Sequence, residues 1–488
     1  MRLRYTLILA LLLIGLGAYL YFVESKRIGE EAKKDKLVSV SADEVTGIAL
    51  NYPNRFEATL ELRDGRWHLT KPMDALADPT TVSGVLKSLT EAELTKTLDN
   101  PPQDLAPFGL APPMATITLT AKDKQVPPLK VGKTTAVSSS TYVQRGDDPK
   151  IYLTSANFHR EVDKKLNDFR DKLIVAFDEA DVSTLTLSGP GGNIELVKHK
   201  DGWMIEKPRE LQADDVTVRN LISTIRNMRA DDFASDSTLP ADLAQLGLER
   251  PLREIALRSG PDSKETRLLF GDEVENGMYL KVADKPTTYI IGQWAARELG
   301  KSLGELREKT VLAFAPSSVG RVDVRRADGE SFALVQTADG WSVENADGPS
   351  QADKIKTFVG ALSELKGSRV LADASEGVEP FGLSAPAMEI TVTGNDGAKI
   401  GATKVAVKPS EAGAARYTAL RETDGAIIEL RDYHYKQLDH KRADFVQAAV
   451  PAAPGAPAPA AAGVPPAPAA PAANAPAPTT AAPAPAAH

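Results

Sequence analysis

The chain has 488 residues, a formal net charge of -8 and a pI near 5.5, an acidic balance that argues against a nucleic-acid partner, which asks for a basic face. It contains no cysteine, so disulfides, thiolate metal sites and a lipid-modified cysteine are all excluded. The length accommodates about three domains of ordinary size.

In chain order, the first feature is the uncharged apolar tract from Leu7 to Val23, about 26 Å long as a helix and at the short end of a membrane span. Tyr5, Tyr19, Tyr21 and Phe22 lie near its ends, where amphipathic rings favour a headgroup region. A cleaved signal peptide is the rival reading, but Leu16-Gly17-Ala18 places leucine where a cleavage site wants a small residue. Orientation is contested. Lys26, Arg27, Lys33, Lys34 and Lys36 after the tract outnumber Arg2 and Arg4 before it, yet long domains translocate largely regardless of charge. The expectation is a single-pass anchor in a cytoplasmic membrane, spanning residues 1–36 with its juxtamembrane segment, and the bulk of the chain on the extracytoplasmic side.

Beyond the tract, one passage recurs three times with a period of about 137 residues. Each copy opens with an apolar strand pattern, at Val45 to Leu50, Val182 to Leu187 and Val319 to Val324. A turn and a tryptophan follow: Asp64-Gly65 with Trp67, Asp201-Gly202-Trp203, and Asp339-Gly340-Trp341. Asp-Gly between apolar runs is a strong hairpin signal, since the favoured turn needs positive φ at both central residues. Each tryptophan reads as a core anchor on the returning strand. A carbohydrate-stacking platform would instead need an exposed ring and further aromatics.

A helix comes next in every copy. Val82, Val85, Leu86 and Leu89 mark its apolar face in the first, Val218, Leu221, Ile222 and Ile225 in the second, and Ile355, Phe358, Val359 and Leu362 in the third. Asp78, Asp214 and Asp353 are the expected N-caps. Then come an apolar residue and Gly-Leu-x-x-Pro: Phe108-Gly109-Leu110 with Pro113, Leu246-Gly247-Leu248 with Pro251, and Phe381-Gly382-Leu383 with Pro386. Glycine suits a left-handed backbone, and proline admits the next strand without continuing a helix.

The first copy continues with strands at Thr116 to Thr120 and Tyr142 to Leu153 and a charged helix through Glu161 to Lys172; the second with a strand from Tyr279 to Ile291 and a helix from Ala295 to Lys309. The third has strands at Tyr417 to Leu420 and Ile427 to Leu430 and a helix through Tyr435 to Phe445. Phe169-Arg170-Asp171-Lys172 is echoed by Leu306-Arg307-Glu308-Lys309, with Lys441-Arg442 near the corresponding basic position. From Ala448 to His488 the chain is almost wholly Ala and Pro, and no core can form from it; a disordered tail or a semi-rigid spacer fits such a composition.

Together the turn with its tryptophan, the aspartate-led helix, the Gly-Leu-x-x-Pro loop and the closing Arg-acid-Lys segment resemble the bacterial domain of unknown function 4340, over about Ser41 to Phe445. Leu246 replaces phenylalanine in the second copy, and the third lacks the Lys-Pro found at Lys71-Pro72 and Lys207-Pro208. The resemblance implies three tandem copies behind one membrane helix, and companionship with ABC-type transport systems similar to those of gliding motility. It assigns no catalytic residue.

Chemical motifs are scarce. His68, His159, His199, His434, His440 and His488 form no metal-ligand spacing, and no phosphate-binding loop or nucleophile elbow is present. Gly189-Pro190-Gly191-Gly192 reads as a turn, and Arg219, Arg226 and Arg229 as a solvated rim rather than an anion site. A carboxylate pair could still be assembled in space. The expected fold class is α+β: three tandem units of grouped antiparallel strands plus two helices each, at 41–177, 178–315 and 316–447, after an N-terminal transmembrane helix and before a disordered Ala/Pro-rich tail at 448–488. The expected function is a membrane-anchored envelope scaffold or binding protein with other envelope or transporter proteins as partners, with no cofactor, metal or catalysis of its own; the alternative is an envelope hydrolase acting on peptidoglycan or polysaccharide.

Overall fold

A computed structural model describes residues 36–122, 124–136, 140–155, 157–409 and 415–447. The apolar tract and the Ala/Pro-rich segment expected at the two ends lie outside the described residues.

Three large antiparallel sheets dominate. In the first, β1 (Val45–Tyr52), β2 (Phe56–Arg63), β3 (Arg66–Lys71) and the two-residue β4 (Ala75–Leu76) form a meander. After a helix, Pro79–Thr90, and β5 (Lys96–Leu98) come β6 (Ala115–Ala121), β7 (Leu129–Thr134), β8 (Thr141–Arg145) and β9 (Ile151–Thr154). The spatial order is β4-β3-β2-β1-β6-β7-β8-β9-β5. The helix therefore carries the chain from one outer edge of the sheet to the other. Its Val82, Val85, Leu86 and Leu89 are buried and join side chains from β1, β2, β3, β6, β7 and β8 in one apolar cluster. The second sheet has nine strands in the same order around helix Asp215–Asn227, which buries Val218, Leu221, Ile222 and Ile225.

The third sheet, around helix Ala352–Ser363, has eight. Leu76 and Gln212 of the short outer strands accept hydrogen bonds from Asp171 and Glu308, and Pro349 accepts the matching one from Gln447. Proline has no N–H to give a ladder, and the Val343 N–H donates to Ser350 Oγ instead.

The α+β expectation is corrected on both of its parts. The body is mainly antiparallel sheet, and among the described residues no helix is long and apolar enough to cross a membrane. Two local causes explain the excess of strand. The run from Tyr142 to Leu153 is two strands, because Gly146 adopts a positive φ and Asp148 N–H donates to Arg145 O, closing a turn; Tyr279 to Ile291 divides likewise into Gly277–Val282 and Thr288–Gly292. Second, the closing helices are short. Asn157–Val162, a 3-10 turn Leu166–Phe169 and then extended chain replace the helix expected through Lys172. Backbone hydrogen bonds from Asp78 to Phe169 and from Asp171 to Leu76 hold this stretch extended, and a continued helix would forfeit them. Gln293–Glu298 and Leu303–Leu306 replace the expected helix from Ala295 to Lys309, and Asp432–Leu438 with Arg442–Phe445 the one from Tyr435.

Each sheet has its own core. Leu37, Val38 and Val40 pack in the first, Ile174 and Val175 in the second, Val311 and Leu312 in the third.

Candidate functional site

The repeated residues occupy equivalent positions. Asp64 and Gly65 both take positive φ, as the tight hairpin turn requires, whereas in the other copies it is Gly202 and Gly340 that do. Trp203 and Trp341 are buried and Trp67 is half-buried, each against the core of its sheet. Gly109, Gly247 and Gly382 are left-handed, and the leucines after them, Leu110, Leu248 and Leu383, are buried. Pro113 bridges back to Leu110; Pro251 and Pro386 stand half-buried just before the next strand. A partner to this loop escaped the sequence reading. The facing strand carries Gly132 or Gly271, where a Cβ would lie 2.4 Å from Phe108 O or 2.1 Å from Leu246 O. Of these residues Gly202 and Trp203 border an open cleft; the repeated set as a whole does not gather at one site.

What does converge is charge, at the two joints between sheets. At the first, Arg170 of the closing segment has a side chain only 7% exposed, donates to Asp236 of the second sheet at 2.7 Å and lies 3.9 Å from the centre of the Phe233 ring. Asp78, whose Oδ1 caps its own helix by accepting from Thr81 N–H at 2.8 Å, turns Oδ2 to Arg229 across the joint at 2.5 Å. Arg229 thus lies on the solvated rim, 49% exposed in its side chain, and from there pairs across the joint.

The second joint repeats the plan more deeply. Arg307, 6% exposed in its side chain, donates to Asp373 at 2.9 Å, and Arg209 reaches the same carboxylate. Asp214 accepts from Thr217 N–H at 2.8 Å with one oxygen; the other is 2.5 Å from Lys366 and 3.4 Å from Lys309. Burial alone would push the Asp214 carboxyl up, but the Lys366 ammonium and the Thr217 hydrogen bonds outweigh it and hold the group down at about 2. Asp373 and Asp236 are lowered in the same way, burial being outweighed by Arg307 and by Arg170 respectively. Burial pushes the Lys309 ammonium down despite Asp214.

The third sheet departs at each of these positions. Gln351 N–H meets Phe445 O as Asp78 meets Phe169 and Asp214 meets Leu306, so the residue at the helix cap is Gln351 and not Asp353, which sits in the first turn. By the same hydrogen bonds Val446 stands where Arg170 and Arg307 do, and Gln447 where Asp171 and Glu308 do. Lys441 and Arg442 lie earlier and are not their counterparts; Arg442 makes an ion pair with Asp347 at 3.9 Å, within its own sheet.

Open clefts lie beside and beyond the joints. One of 640 Å³ is lined by Asn227, Arg229, Asp231, Asn276, Gln293 and Trp294 among others. One of 530 Å³ lies by Trp203 and Arg219, where Asp215 is engaged by the Trp203 N–H at 2.8 Å. In a third, Asp323 and Glu344 are both taken by Arg321 at 2.8 Å. Among the described residues no group of three or more His, Asp or Glu is placed to hold a metal ion. Gly189-Pro190-Gly191-Gly192 joins the strands Val182–Gly189 and Gly192–His199 as a hairpin turn.

Two overlapping segments, residues 67–209 and 203–353, match the family described as Domain of unknown function (DUF4340). The chain belongs to this family. No curated protein matches it. Each matched segment starts at a returning-strand tryptophan and ends beyond the next one, so each spans the closing segment of one sheet but not all of the charge partners that meet it.

Proposed function

We propose that this chain is a non-catalytic scaffold or binding protein of the bacterial cell envelope, an extracytoplasmic accessory to an ABC-type transport system, built from three copies of the family's unit. The observation that carries the scaffold reading is the use of charge. The carboxylates most withdrawn from water, Asp78, Asp214 and Asp373, are each bound to a cation of a neighbouring sheet; they hold surfaces at fixed offsets rather than wait in a cleft. Support for the third copy comes from its strand order, which matches the first two apart from the missing outer strand. The transport setting rests on the resemblance described above.

Mild detergent extraction of membranes and affinity capture of the full chain tests this. Recovery with transporter subunits is the expected outcome, and recovery as a lone protein overturns it. Reporter fusions after Gln447 test the compartment: activity of an export-dependent reporter is expected, and activity of a cytoplasm-only reporter contradicts it.

A further inference from the structure

We propose that the cleft beside Trp294 binds a saccharide. A single exposed aromatic residue is ordinary on a protein surface; Trp294 differs in its surroundings. It is 63% exposed, in the first turn of helix Gln293–Glu298, on the wall of the 640 Å³ opening, a volume within the roughly 300–1,000 Å³ usual for small-molecule sites. The wall around it is more apolar than polar, and its polar groups are mostly neutral: the amides of Asn227, Asn276 and Gln293, with one carboxylate, Asp231.

A pyranose ring presents an apolar face of C–H groups and a rim of hydroxyls that both donate and accept. The indole face suits the first. Side-chain amides offer a donor and an acceptor each, and a carboxylate takes hydroxyl donors. Among the described residues neither the Asp231 carboxylate nor the Asn276 amide has a hydrogen-bonding partner in the protein. An anionic ligand is poorly matched, because the one cation in the wall, Arg229, is held by Asp78 at 2.5 Å. Trp294 is the one aromatic in this wall, fewer than a stacking platform of several rings, so the amides and the Asp231 carboxylate carry the rest of the contact.

Comparison of the sheets shows that the site is not a by-product of the fold. The strand pairs Lys96 with Leu153, Asp232 with Ile290, and Arg369 with Glu429 fix the correspondence. Trp294 is replaced by Asn157 and Tyr433, Asp231 by Thr95 and Ser368, and Gly292 by Ser155 and Arg431. A Cβ at Gly292 would come 2.8 Å from Asp231 Oδ2, so glycine makes room for that carboxylate. The carboxylate and the glycine that admits it are confined to the middle sheet, while the third keeps an exposed aromatic, Tyr433, at the first position. With Asp231 the one carboxylate in the wall, the pair that glycoside hydrolysis needs is missing from the site, and the saccharide leaves as it came.

The inference rests on the binding half of the reading above. The test titrates the full chain with the tetramers of glucose in β-1,4 linkage, glucose in α-1,4 linkage and N-acetylglucosamine, read by tryptophan fluorescence and calorimetry. Saturable binding of at least one is expected, with dissociation constants in the millimolar range or below. Trp294→Ala should weaken it tenfold or more, with Trp294→Tyr and the distant Tyr433→Ala within threefold of the natural chain and the tetramers intact by chromatography. No saturable binding by any tetramer, or equal binding by Trp294→Ala with an unchanged unfolding midpoint, overturns the site, as does cleavage. Co-purification of transporter subunits is scored beside it: subunits without saccharide binding sink the site alone, and saccharide binding without subunits sinks the transport setting alone.

Discussion

Asp214 shows how one residue serves two levels of structure. Its Oδ1 caps a helix and its Oδ2 clamps the next sheet. Asp214→Ala removes a cap worth ~1 kcal/mol and leaves Lys309, 8% exposed in its side chain, without its partner. Breaking a buried pair costs about 3–5 kcal/mol, so a fall of that order in urea unfolding is expected, against ~0.5 kcal/mol or less for the exposed Asp353→Ala. The same carboxyl sets an acid limit. Its folded value of about 2 lies below the ordinary 3.8, so its contribution is complete above the ordinary value and fades as pH falls through the folded one. Unfolding midpoints measured from pH 5 to pH 2 should therefore drop more steeply for the natural chain than for Asp214→Asn.

At the scale of elements, the loop of Gly-Leu-x-x-Pro and the strand it crosses form a matched pair. Gly271→Ala drives a methyl group to 2.1 Å from Leu246 O, and overpacking of this kind costs about 1–3 kcal/mol. Gly191→Ala, in a hairpin turn with nothing within 4 Å of the new carbon and no left-handed φ, should be neutral or stabilising by up to ~1 kcal/mol. Thermal midpoints of the two variants check both. The sequence made the local devices legible: the Asp-Gly turns, two aspartate caps and the buried faces of three helices are short-range patterns. It hid the rest for physical reasons. Gly132 and Gly271 matter only because a loop far off in sequence crosses them. Arg170 to Lys172 looked helical by composition, yet hydrogen bonds to Leu76 and from Ala230 hold them extended. The cleft by Trp294 draws on a helix end, a hairpin turn and another helix, and no spacing in one stretch could announce it.

At the scale of the molecule, the joints leave no spare chain. Asp171 N–H binds Leu76 of the first sheet, and the very next residue, Lys172, accepts from Ala230 of the second; Glu308 and Lys309 repeat this with Gln212 and Gly367. The three cores should therefore unfold together, as one calorimetric transition near neutral pH. Four residues of Gly-Ser inserted between Lys172 and Leu173 should split the first core from the other two and give two transitions. A single unshifted transition in that variant would show that the joint is not a mechanical coupling.

The neutral set Gln351, Val446 and Gln447 bears on how such an array can lengthen. A copy duplicated into the interior would find an acid, an arginine and a second acid waiting on its neighbour, and would lock in at once. A copy appended after the third sheet would face an amide, an aliphatic side chain and another amide, and none of the three offers the charge that pairs the sheets at the two joints.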